Sequence, residues 1–386
     1  MSQPVRLGLF YAALFVGTGA SSPYIPVWFA SRGLSGAEIG LILSAPMFAR
    51  AVTAPGIAMW ADSFRLRRTP LILMGLATAL AYGLLAAPFG FAWWFGIWFI
   101  ANTILSTMIP LTDVIVFGRA RRDGFNFGWP RGIGSVAFII ANVTVGALLA
   151  KFSPELVLVW ITAAAMLAAG CARGLLPPDP VREGGAGSRL SERLAGLGDL
   201  LRDKHFMLAV VSVGLIQSAH AFYYSFSTLS WKQQGLHEST TGLLWGLAVA
   251  VEVAFMWFME PWRRRIGPRN LLMIGGAAAL VRWTVLAFSP PLWLVLPMQA
   301  LHTFTYAATF LASLQLVERL STPANASAAQ TVNSALSGGL LMGVATIGSG
   351  WLFDAVGTKG YFAMAAMSAL GLIGALRLYG VKRLDA

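Results

Sequence analysis

Glu252 is the one charge in "GLAVAVEVAFMWFM" (residues 246–259). Arg50, Arg282, His220 and His302 are embedded in apolar runs in the same way, well away from the ends of each run. A carboxylate, two imidazoles and two guanidiniums in such surroundings suit two tasks, carrying a proton and holding an anion. An ionised side chain in hydrocarbon costs at least ~2.5–3.5 kcal/mol, so each needs a partner or water. Several such groups at one depth point to a working site more strongly than to helix packing. Glu252 and His302 are therefore candidate proton carriers, and Arg50 and Arg282 candidate anion binders. His220 lies in "SAHAFYYSF", where it reads equally as a binding residue or a packed one. Tyr224, one turn further on, and Tyr24 are candidates for contact with a ring. Trp28, Tyr223, Trp245 and Trp283 belong to the same aromatic set, whereas Trp231 and Trp262 read as interfacial belt residues. Asp113 and Arg131 lie nearer one end of their runs. They read as an ion pair that fixes packing or acts as a gate.

The elements that must position these residues follow from composition. The 386 residues are 57% hydrophobic and 11% charged, against about 25% charged in soluble domains. Apolar stretches near the roughly 20 residues a spanning helix needs recur throughout. Twelve spans are expected, at 7–29, 37–60, 70–89, 91–117, 128–150, 155–176, 206–231, 239–262, 270–289, 291–317, 325–353 and 359–378. The runs are continuous rather than alternating, which favours helices over a β-barrel. The first run is too long for the apolar region of a cleaved signal and is expected to be the first span. Twenty-one Arg and Lys residues fall at the N-terminus and in the loops after even-numbered spans, and four in the opposite loops. By the positive-inside rule both termini are cytoplasmic. The net charge of +12 thus reports topology and gives no reason to expect nucleic acid.

Residues 177–204, "PPDPVREGGAGSRLSERLAGLGDLLRDK", are polar and rich in Pro, Gly and charge. They read as a cytoplasmic linker (177–205) between an N-terminal six-helix half (1–176) and a C-terminal one (206–386). Residues 189–204 can form an amphipathic helix along the membrane surface. The halves also share a repeat. "GLSGAEIGLILSA" from Gly33 and "GLHESTTGLLWGL" from Gly235 match at an offset of 202 residues. That offset carries Arg50 onto Glu252. Two parallel six-helix halves related by an axis along the membrane normal would set these opposite charges across a central cavity.

At this point the residues resemble a known family. "SSPYIPVWFASRGLSGAEIGLILSAPMFARAVTAPGIAMWAD", "FGWPRGIGSVAFI", "SAHAFYYSFSTLSWKQQGL", "LVRWTVLAFSP" and "LPMQALHTFTYAATFLASLQLVERL" resemble the major facilitator superfamily. Within it they are similar to the phenylpropionate permease branch, related to the lactose permease group. The resemblance implies an all-α polytopic membrane protein with twelve transmembrane helices in two halves. Its loop signature, roughly G-x-x-x-D-R-x-G-R-R, keeps Asp62 and the arginines here. Ala58, Ser63 and Arg65 replace Gly, Arg and Gly, which implies an altered loop geometry around Asp62 as a structural charge. In the fifth span Phe127, Gly128, Arg131, Gly134 and Ser135 fit the branch pattern, while Ile133 replaces its Trp.

The expectation is a secondary transporter in the cell inner membrane, not an enzyme. It would be a monomer importing a small organic anion with a proton, and the resemblance implies an aromatic carboxylate. Glu252 would pair with Arg50 or Arg282 in the empty carrier, and a proton on Glu252 would free the Arg for substrate. Symport of a neutral sugar or nucleoside through the same proton network, with Asn102, Asn142 or Gln217 as hydrogen-bonding groups, is the alternative, as is drug/proton antiport. A membrane sensor without transport is disfavoured by the lack of a large soluble output domain. The chain has no phosphate-binding loop. Cys171 is its single cysteine, and no Cys/His cluster or metalloprotease motif occurs, so neither ATP, a metal nor any other cofactor is expected.

Overall fold

The computed structural model describes residues 1–181 and 196–381. Among them the regular structure is helical, apart from one isolated backbone bridge between Leu66 and Pro180. Hydrocarbon offers no water to backbone N–H and C=O groups, and a helix satisfies them internally. The first half contains α1 (Gln3–Ser31), α2 (Gly36–Asp62), α3 (Arg68–Leu85), α4 (Phe91–Asp123), α5 (Gly128–Leu149) and α6 (Glu155–Leu175). After the short α7 (Leu197–Arg202) come α8 (Lys204–Ser218), α9 (Ala221–Gln233), α10 (Glu238–Phe258) and α11 (Glu260–Ala287). Next are α12 (Leu292–Ala300), α13 (Thr309–Leu320), α14 (Ala326–Asn333), α15 (Met342–Val356) and α16 (Tyr361–Arg377).

Each expected span falls on helix, but not always on one unbroken helix. Among the described residues eight helices are long and apolar enough to cross a membrane, or nine if the two arms of α2 count as one span. One of the eight, Ala326–Arg377, holds both the eleventh and twelfth expected spans. They divide at Gly357, where φ is +58°. The seventh span breaks between α8 and α9, at Ala219 and His220. The tenth leaves α12 at Leu301 and continues as a π-helical turn over Thr303–Ala308 before α13. Continuous spans were the sequence expectation at both places. Ala219, His220 and Leu301 are not helix breakers themselves; the one local warning is Pro297, one turn before Leu301. The bonds that compensate each break come from side chains described below.

Other boundaries are local. Ser35 accepts from the Glu38 N–H, while the Glu38 carboxylate accepts from the Ser35 N–H, a capping box that opens α2. Gly33 and Gly235 end α1 and the seventh span with φ of +84° and +81°, a conformation glycine adopts at little cost. Leu34 N–H reaches back to the Phe29 carbonyl and Leu236 N–H to that of Trp231. The same glycine-closed helix end therefore recurs 202 residues apart, at the positions where the sequence repeat begins.

Contacts divide the chain into two compact units. The first is Met1–Gly185 with Trp231–Gly246, and the second Ala186–Ser230 with Leu247–Ala386. In the first, α1 packs on α5 and α6, and α3 on α6. Leu7, Phe10, Leu14, Leu71, Met108 and Val116 are part of its buried core. Gly146 and Gly242 allow α5 and the start of α10 to meet, for a Cβ on Gly242 would lie 2.5 Å from the Asn142 carbonyl oxygen. The first linker residues are tied down in this unit. Val181 N–H donates to Arg65 O, Arg67 N–H to Asp179 O (both 3.0 Å), and Arg119 Nε to Asp179 Oδ2 at 2.6 Å. Of the amphipathic segment expected at 189–204, Leu197–Arg202 is helical with Leu200 buried, while 182–195 lie outside the described residues.

In the second unit α11 packs against α16 and the π-helical turn, and α8 against α16. Gly275 matters here. A Cβ at that position would come within 2.9 Å of the Phe304 carbonyl oxygen and collide with the Thr309 hydroxyl. The missing side chain lets α11 lie close against the tenth span, as small residues do at membrane helix contacts. Two turns along the same face of α11 stands Arg282.

Candidate functional site

Arg282 is fully buried. Its Nη1 donates to His302 Nδ1 at 3.0 Å and to Thr305 Oγ1 at 3.3 Å, and its Nη2 to Gln299 Oε1 at 3.2 Å. The guanidinium carbon stands 4.5 Å from the ring centroids of both Tyr223 and Trp283, a cation–π arrangement. None of these partners is a carboxylate. The tenth span supplies three of them from one face, Gln299, His302 and Thr305, at spacings of three residues.

His302 joins the arginine to Glu252. A guanidinium only donates, so His302 Nδ1 accepts and the ring proton sits on Nε2. That nitrogen faces Glu252 Oε2 at 3.8 Å. Sequence reasoning expected a direct pair between Glu252 and an arginine; in the structure the imidazole stands between Glu252 and Arg282. Its reach from the tenth span to both neighbouring helices is a tertiary fact. Glu252 itself is partly exposed, with about a quarter of its side chain accessible (24%).

His220 lies at the break in the seventh span. Its Nδ1 is 2.9 Å from the Gln217 carbonyl oxygen, which at the break also accepts from the His220 N–H at 3.1 Å. Its Nε2 is 2.9 Å from Thr305 Oγ1. Thr305 therefore touches Arg282, His220 and, through its 3.1 Å bond, the His302 carbonyl. The His220 ring stacks with Tyr224 at 5.5 Å and meets His302 edge-on at 5.3 Å. Tyr306 stacks on His302 at 5.4 Å, and Gln217 Nε2 donates to its carbonyl at 3.1 Å. The structure thus brings together Glu252, His302, Arg282, His220 and Tyr224 within one unit. Gln299, Thr305 and Tyr306 are additions to the sequence list. A polar stripe at 299, 302, 305 and 306 inside an apolar run was the available signal.

The remaining candidates lie in the first unit. Arg50 is exposed, and no hydrogen bond or ion pair of its side chain occurs among the described residues. Tyr24 is fully buried and its hydroxyl donates to the Asn142 carbonyl at 2.9 Å, packed beside Gly146 and Gly242. That contact ties α1 to α5. Asp62 is exposed at the end of α2. Arg131 Nε and Asp113 Oδ1 are 3.8 Å apart, both side chains about one-third exposed (34% and 30%). The Tyr11 hydroxyl donates to the same Asp113 oxygen, and Arg131 lies over the Phe15 ring at 4.4 Å. Sequence reasoning had no means to add Tyr11 to the pair.

A double-mutant cycle of Asp113→Asn and Arg131→Gln should show this pair at work. The expected result is a coupling of about 0.5–3 kcal/mol in transport rate, the range for residues in contact. Additive effects in proteoliposome uptake would mean that the pair does nothing during turnover.

Residues 5–364 match the model of the MFS_1 like family. A protein of Escherichia coli (strain K12) named "Probable 3-phenylpropionic acid transporter" is 29% identical over 94% of this chain and 94% of its own length. The maltose permease of Geobacillus stearothermophilus is 28% identical over 90% of this chain and 86% of its own. Among solved structures, a mutant of the nucleoside transporter NupG superposes with a TM-score of 0.89 at 16% identity, covering 98% of this chain and all (100%) of that one. A bacterial homologue of the lysosomal transporter Spinster gives 0.74 at 14% identity, with 99% and 98% covered. At these identities the structural likeness speaks to the fold.

Proposed function

Because the chain belongs to the MFS_1 like family of major facilitator transporters, and so is a multi-pass membrane carrier of a small molecule rather than an enzyme, we propose that it takes up a small aromatic carboxylate together with a proton. The observation that carries this reading is Arg282, a buried guanidinium whose hydrogen-bonding partners are all uncharged acceptors or an imidazole. The carboxylate of Glu252 reaches it through the His302 imidazole; a buried charge whose counter-ion is lost is costly, and once Glu252 is protonated a substrate carboxylate would provide a new one. The rings of Tyr223, Tyr224, Trp283 and Tyr306 around it suit an apolar, aromatic substrate body. The name borne by the Escherichia coli relative fits such a substrate.

In this reading Glu252 is the proton-coupling carboxylate and His302 its link to Arg282. Without substrate, the negative charge of Glu252 is balanced through His302 by Arg282. A proton on Glu252 removes that balance, and the substrate carboxylate restores it at Arg282. Only the empty and the doubly loaded carrier are compensated, so only they exchange sides as the two halves rock. The linker at 177–205 joins the halves, and Arg50 holds the repeat position equivalent to Glu252. The protein is a monomer of the inner membrane with both termini in the cytoplasm.

Uptake of labelled 3-phenylpropionate, maltose and a nucleoside into proteoliposomes tests this. The acid should accumulate when the outside is acidic and only equilibrate without a proton gradient. Uptake of maltose or the nucleoside in place of the acid would overturn the reading.

A further inference from the structure

Gln299 is fully buried, and its carboxamide is used unevenly. The oxygen accepts twice, from the Tyr223 hydroxyl at 2.9 Å and from Arg282 Nη2 at 3.2 Å. The nitrogen meets no acceptor among the described residues. Two neighbouring donors share that condition, Arg282 Nε and Trp283 Nε1, both on fully buried side chains. Buried donors are ordinarily paired. Around Arg282 there is thus a surplus of N–H groups and of positive charge, and a shortage of acceptors.

The chemistry of position 299 accounts for this. A buried guanidinium is usually met by a carboxylate. Here the group against Nη2 is an amide, which matches a glutamate in shape and satisfies the geometry of one hydrogen bond while leaving the charge in place. Its nitrogen adds a donor where a glutamate would add an acceptor.

We propose that Gln299 determines the charge specificity of the binding site. By holding Arg282 with a neutral oxygen it keeps the guanidinium available to an anionic guest. Its own Nε2, with Arg282 Nε and Trp283 Nε1, suits a guest offering two acceptor oxygens and one negative charge, a carboxylate. The inference rests on the reading of Arg282 as the anion-binding residue.

The test compares Gln299→Glu and Gln299→Leu in proteoliposomes, with 3-phenylpropionate and its neutral amide as probes. Gln299→Glu supplies an internal counter-ion. Acid uptake is expected to fall at least tenfold, and the acid-to-amide uptake ratio with it. Gln299→Leu removes the hydrogen bonds but leaves the arginine uncompensated. It should raise KM for both probes about fivefold with kcat held, and keep the ratio within threefold of wild type. A merely structural role would lower kcat for both probes in both variants while leaving KM and the ratio unchanged, which would overturn the proposal. If the Glu variant fails to fold, as judged by gel filtration in detergent, the Leu variant decides, and an unchanged KM would overturn it. A wild type that carries the amide and not the acid would sink this proposal together with the Arg282 reading. Wild-type acid transport with an unaltered ratio in Gln299→Glu would sink this one alone.

Discussion

Glu252→Gln is expected to abolish accumulation driven by a pH gradient while leaving substrate exchange intact. Glutamine copies the shape of the protonated carboxyl and cannot release a proton, so the variant stays in the substrate-ready form. Symport of one proton with a monoanion moves no net charge. Accumulation by the wild type should then follow the pH gradient and ignore an imposed membrane potential. One pH unit across the membrane supplies about 1.4 kcal/mol per proton, hence about a tenfold concentration ratio. The sign is defined: wild-type uptake rises as the external pH falls below the internal, and the variant's ratio never exceeds unity at any external pH. Counterflow of labelled against unlabelled substrate should remain within about threefold of wild type. If Glu252→Gln concentrates substrate as the wild type does, Glu252 is a structural counter-ion for His302 and the proton enters elsewhere.

Arg282→Gln should raise KM for a carboxylate substrate by roughly 10- to 150-fold, since hydrogen bonds to a charged group contribute about 1.5–3 kcal/mol. Lysine is expected to be a poor rescue. An ammonium on a flexible stem cannot bond His302, Thr305 and Gln299 at once from one plane, nor present a fork to a carboxylate. The neutral amide of the same substrate should lose much less. KM values for acid and amide, measured together, check this. An equal loss for both would show that Arg282 shapes the site without reading charge.

The repeat gives an instructive case of what survives translation into three dimensions. The matching stretches at Gly33 and Gly235 are short, yet both glycines close a helix with nearly the same backbone angle and the same back-reaching hydrogen bond. A glycine at a helix end is a local statement, and local statements are legible in sequence. Tyr24 shows the reverse. It was a candidate for touching a ring, and its hydroxyl is bonded to the Asn142 carbonyl within the packing of α1 on α5. Nothing about a tyrosine in an apolar run distinguishes a ligand contact from a helix contact, because the two differ only in what lies opposite.

By itself the sequence determined that this protein lives in a bilayer, that its runs are helices and that a few ionisable groups, Glu252, Arg282, His220 and His302 among them, lie inside those runs. These conclusions need only the thickness of hydrocarbon, the pairing demands of the backbone and the cost of a charge away from water. It also named Glu252, His302, Arg282, His220 and Tyr224, because an ionisable or polar residue in such a run stands out singly. Only the tertiary structure decided that His302 stands between Arg282 and Glu252, that Thr305 links Arg282 to both histidines, and that Gln299 is the neutral group against the guanidinium. Those contacts join α11, the eighth span and the breaks in the seventh and tenth spans. The physical reason is that which side chains meet depends on how closely helices approach and how each is rotated. Gly275 sets the first where α11 meets the tenth span, by leaving room for the Phe304 carbonyl and Thr309, and the π-helical turn over Thr303–Ala308 bears on the second. A glycine and a turn of ordinary residues carry no mark in the chain of what they will allow to touch.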